Sequence, residues 1–73
     1  MEARFDYRKL RGKIKEVFGT QKSFCTAMRM NDATLSAKLG NKTPFSQDEI
    51  LKARRLLGIG SIEIPEYFFS EES

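Results

Sequence analysis

Seventy-three residues, 40% apolar and 32% charged, are enough for one small core and no second domain, and the longest apolar runs fall far short of the roughly 20 residues of a membrane-spanning helix. With one cysteine, no histidine and no paired carboxylates, the chain can build neither a disulfide, nor the usual zinc site, nor an acid–base pair, so no enzyme activity, metal or cofactor is expected. The charge of +3 is uneven: residues 1–43 hold ten Lys and Arg against four Asp and Glu, net +6, whereas residues 44–73 hold three against six, net −3, which makes the N-terminal half the candidate surface for a polyanion.

The charged start, with Glu2, Arg4, Asp6, Arg8 and Lys9, lacks the apolar stretch of a signal peptide, and the protein is expected to stay in the cytoplasm. Asp6 is placed to cap a first helix in which Tyr7, Leu10, Ile14, Val17 and Phe18 recur at three- and four-residue intervals, with Gly19 as its stop. Arg8, Lys9, Arg11, Lys13 and Lys15 fall off that stripe and give the helix a basic outer face. Thr20 is an N-cap for a second helix, Gln21 to about Met28, with Phe24, Cys25 and Met28 inward. Only Arg29 and Met30 precede the next cap, Asn31. A third helix then runs from Asp32 to about Leu39, with Leu35 and Leu39 inward and Asp32 complementing the helix dipole, until Gly40-Asn41 ends it.

Lys42-Thr43-Pro44-Phe45 is a connection, because Pro44 biases Thr43 away from helical geometry. Ser46 and Glu49 form the capping-box pattern Ser-x-x-Glu ahead of a fourth helix carrying Ile50, Ala53, Leu56 and Leu57, which Gly58 terminates. Past Gly60-Ser61, Pro65 limits the segment Ile62 to Phe69 to one or two turns, and the aromatic end Tyr67-Phe68-Phe69 predicts packing instead of a free tail. There is no period-two alternation, hairpin turn or internal repeat. The chain is therefore read as all-α, with five short helices in a single domain over residues 1–73.

The functional signal lies in residues 20–39. Two short helices across a tight turn, the second opening with small polar residues, allow the second to lie in a DNA major groove. Phe24, Cys25 and Met28 meet Met30, Leu35 and Leu39 on the inner side, and the small Cys25, read as a core residue and not a redox switch, lets the helices cross closely. Asp32, Ala33, Thr34, Ser36, Ala37 and Lys38 are left facing outward. From Thr20-Gln21-Lys22-Ser23-Phe24 to Asn41 the stretch resembles the helix-turn-helix of phage repressors and Cro proteins. From Phe5-Asp6-Tyr7 through to Tyr67-Phe68-Phe69 nearly the whole chain is similar to short phage-encoded Cro-like proteins, of the lambda-repressor-like class. Two positions depart from that pattern. Arg29 stands where glycine is usual in the turn, at a cost of roughly 1 kcal/mol or more if left-handed. Lys38 stands where an apolar residue is usual three after Leu35, and Leu39 is apolar instead.

The resemblance implies a transcriptional regulator, a repressor, that binds a double-stranded DNA operator as a homodimer. Asp32, Ala33, Thr34, Ser36 and Ala37 would approach base edges, with methyls from Ala33 and Thr34 for thymine and the Asp32 carboxylate as an acceptor for cytosine. Gln21, Lys22, Lys38, Asn41 and Lys42 would hold phosphates. The same fold also suits a protein-interaction module, an antitoxin or regulatory adaptor, that binds a protein through Phe45 or Tyr67-Phe68-Phe69. Neither reading involves a membrane or a small-molecule substrate. A dimer contact is expected in the acidic half, where Ile62, Ile64, Tyr67, Phe68 and Phe69 exceed what one short helix can bury and leave Phe69 exposed. A start at Met1 and an end soon after the fifth helix predict that no effector-binding or self-cleaving domain is attached.

Overall fold

In a computed structural model, which describes residues 4–71, the second, third and fourth helices begin at the caps that the sequence supplies, Thr20, Asn31 and Ser46. They are α1 (Arg8–Phe18), α2 (Gln21–Met28), α3 (Asp32–Leu39), α4 (Gln47–Leu57) and α5 (Ile64–Phe68), the last entered through a single 3-10 turn, Ser61–Glu63. The all-α, five-helix class is as expected. The ends of the expected domain, residues 1–3 and 72–73, lie outside the described residues. No helix among the described residues is long and apolar enough to cross a membrane.

Helix α4 has the most complete start. Ser46 Oγ accepts from the Glu49 N–H at 3.1 Å, while Glu49 Oε1 accepts from the Ser46 N–H at 2.8 Å, so two N–H groups that the helix leaves without internal partners are satisfied reciprocally. Its stop is Gly58 at φ 69°, a left-handed residue that only glycine adopts without strain, and the Ile59 N–H closes back on the Arg54 carbonyl at 3.0 Å. Ser46→Ala is expected to cost about 1 kcal/mol in urea denaturation, with Ser46→Thr retaining most of the cap.

Two expectations for α1 are corrected. Tyr7, not Asp6, occupies the N-cap; Asp6 acts from one residue earlier, its Oδ1 accepting the Arg8 N–H at 3.0 Å. The Arg8 side chain and N–H, both bonded to that carboxylate, hold it down to about 2. Val17, expected inward, is 45% exposed. The four-residue steps Leu10, Ile14, Phe18 wind the stripe past it, so Phe18 meets α2, with its ring edge-on to Phe24 at 5.3 Å.

The core lies where α1 packs against α2, α4 and α5, with α2 also against α3 and α4 against α5. Its fully buried centre is Leu10, Ile14, Phe24, Leu35 and Phe68. The aromatic C-terminus does pack: Tyr67 and Phe68 are buried, and Phe68 stands edge-on to Phe45, which in turn meets Tyr7. Three segments distant in sequence are tied together at this end. The Asp6 N–H donates to the Ser70 carbonyl at 2.6 Å, Phe5 and Glu71 form an isolated antiparallel bridge, and Asn41 bonds both main-chain groups of Phe5.

Candidate functional site

The α2–turn–α3 unit is held from within by three local devices. Thr20 Oγ1 accepts from the Ser23 N–H at 3.1 Å and Asn31 Oδ1 from the Thr34 N–H at 2.7 Å, which caps each helix as expected. Between them Arg29 is left-handed, at φ 60°, and the N–H groups of Arg29 and Met30 return to the carbonyls of Thr26 and Cys25 at 3.2 and 3.0 Å. This is the usual glycine-type helix ending made with arginine, so the turn is not reshaped by the absence of glycine. Its backbone strain, about 1 kcal/mol, is borne by the surrounding contacts. From α4, Lys52 Nζ donates to the Met28 carbonyl at 3.3 Å and satisfies one further group at the end of α2.

Leu35, 1% exposed, anchors α3 in the core it shares with Phe24 and Cys25 of α2. Burial, reinforced by the nearby Asp32 carboxylate, pushes the Cys25 thiol up, which keeps it protonated and suits a core residue. Asp32, Ala33 and Ser36 are exposed on α3, whereas Thr34 and Ala37 are half-buried. Gln21, Lys22 and Lys42 are exposed around them, together with Arg29, which no local sequence signal marks as more than a departure in the turn.

Two residues expected at phosphates are engaged inside the fold. The Lys38 side chain is 11% exposed; its ammonium sits 3.0 Å from Glu49 Oε1, donates to the Pro44 carbonyl at 2.9 Å and lies against the Phe45 ring. Although burial alone would raise the Glu49 carboxyl, the Ser46 N–H and Lys38 hold it below the ordinary range. Asn41, left-handed at φ 65°, accepts from the Phe5 N–H at 2.8 Å and donates to the Phe5 carbonyl at 2.9 Å. The partners of both side chains lie outside α3, in the segment before α1 and in the connection and helix that follow.

The basic face of α1 is also partly neutralised: Arg8 pairs with Asp6 at 2.8 Å, Lys13 with Glu16 at 3.7 Å, and Lys9 with Glu66, the Lys9 ammonium also lying over the Tyr67 ring. What remains outward on α3 is a shallow surface of small side chains with one carboxylate. Its one long donor, Lys38, is turned away.

No curated protein matches the chain. Among solved structures, the solution structure of the modulator of repression (MOR) of the temperate bacteriophage TP901-1 from Lactococcus lactis superposes with a TM-score of 0.79 at 46% sequence identity, covering 89% of this chain and 88% of that one. A protein-family model spans residues 3–71, caps, turn and aromatic end included. The chain accordingly belongs to the family described as "Protein of unknown function (DUF739)".

Proposed function

We propose that this chain is a regulator in a temperate-phage repression circuit and that it acts by binding a protein, the phage repressor, through the exposed face of α2 and α3. The observation that carries this reading is the inward commitment of Lys38 and Asn41. Without them the outer face of α3 presents Asp32, Ala33 and Ser36, and no Arg, Lys, Asn or Gln that could make a bidentate contact to a base. Small side chains let another protein surface approach closely, and Lys22, Arg29 and Asp32 supply a polar rim. The 46% identity to a protein called a modulator of repression supports the regulatory role. Such a protein has no substrate to turn over, and it works where repressor and operator meet.

Direct binding to a DNA operator is the second reading, favoured by exposed Gln21, Lys22, Arg29 and Lys42 around the motif. These would hold phosphates, which gives affinity without sequence choice. A titration of the chain against the phage repressor, and separately against duplexes carrying its operators, between about 50 and 200 mM salt distinguishes the two. Binding to the repressor is expected, weakened more than about tenfold by Ala33→Arg or Ser36→Arg. Operator-specific binding by the chain alone would overturn the adaptor reading, and a salt slope lowered by about one unit in each of Lys22→Ala and Lys42→Ala would then assign the phosphate contacts.

A further inference from the structure

Leu51 on α4 is 46% exposed and Phe69, just past α5, is 50% exposed. With Ile50 and Gln47 they line one open hollow whose accessible surface is almost wholly apolar. At helical spacing Gln47, Asp48, Leu51 and Arg55 share the outer side of α4. Asp48 and Arg55 are both exposed, and among the described residues neither has an ionic partner. The helix therefore shows an apolar centre with an unpaired negative charge on one side and an unpaired positive charge on the other.

We propose that this side of α4, extended by Phe69, is the contact with a second copy of the chain, the two α4 helices running antiparallel about a two-fold axis at Leu51. Asp48 lies three residues before Leu51 and Arg55 four after it. At a rise of 1.5 Å per residue these offsets are about 4.5 and 6 Å, so a two-fold axis at Leu51 brings each Asp48 opposite Arg55 of the other copy. Isologous pairing requires such a self-complementary patch. The same arrangement sets the positive start of each helix dipole beside the negative end of the other and covers two Leu51 and two Phe69 side chains. If each copy contributes about a tenth of its surface, the total is about 1,000 Å², the lower bound for a specific interface, and the dimer is weak and concentration-dependent. No residue of α2 or α3 is used, so the face assigned above to regulation stays open.

Sedimentation velocity from about 10 µM to 1 mM, a range chosen for a weak association, tests this. The wild-type mass is expected to rise toward twice the monomer. Asp48→Arg and Arg55→Asp, each alone, place like charges opposite one another and are expected to weaken association at least about tenfold. An equimolar mixture of the two variants is expected to regain it, because one chain then carries two positive positions and the other two negative ones. Leu51→Glu, at an exposed position, is expected to be monomeric. A wild type that stays monomeric to the highest concentration overturns the proposal and leaves the hollow to a different protein. A dimer indifferent to the single reversals, or a mixture that fails to pair while both variants keep wild-type circular dichroism, overturns it equally.

Discussion

Leu35→Ala is expected to lower the unfolding free energy by about 2–5 kcal/mol, because truncating a fully buried leucine loses transfer free energy and leaves a cavity that neighbours fill only in part. Leu35 is 1% exposed and is the principal anchor of α3, whose packing is chiefly against α2. A domain of this size has a total stability near the lower end of about 5–15 kcal/mol, so the variant stands close to unfolding. Urea titration should show a lower midpoint with an unchanged slope. Leu57→Ala, at a site 3% exposed on α4, is expected in the same range. Leu51→Ala, at a half-exposed site, should change stability by no more than about 0.5 kcal/mol. Near-wild-type midpoints for both core variants would show that these side chains do not hold the helices together.

Asn41→Ala is expected to cost about 2–4 kcal/mol. Two part-buried hydrogen bonds to Phe5 are lost, at about 1 kcal/mol each, and an alanine at φ 65° adds about 1 kcal/mol of backbone strain. Asn41→Gly relieves the strain but not the bonds, so it should recover about 1 kcal/mol of the loss. Amide exchange at Phe5 supplies a local readout, since its N–H has Asn41 Oδ1 as acceptor and should exchange faster in both variants. Equal stability of the alanine and glycine variants would remove the strain from this account, and unchanged Phe5 exchange would remove the bonds. Asn41 fastens the segment before α1 to the end of α3, where Phe5 and Phe69 meet edge-on at 6.0 Å.

The amino-acid sequence by itself determined α2, α3 and α4 and their ends, because each signal there is a bond between residues at most five apart. Thr20 reaches Ser23, Asn31 reaches Thr34, Ser46 and Glu49 reach each other, and Gly58 lets Ile59 turn back to Arg54. The stripe of Leu10 and Ile14, and the inward set Phe24, Cys25, Met28, Leu35 and Leu39, follow from helical periodicity in the same way. Tertiary structure alone decided which charged and polar side chains remain on the surface. Lys38 meets Glu49 eleven positions away, Asn41 meets Phe5 across 36, and Lys9 meets Glu66 across 57. Those partners become neighbours only when α3, α4 and both ends of the chain are packed together, and no local rule specifies them. Helical spacing shows which side of α3 faces away from its core, but not whether a long side chain on that side bends back to a carboxylate from another helix. That difference leaves α3 with an outer face of small side chains and one carboxylate, Asp32.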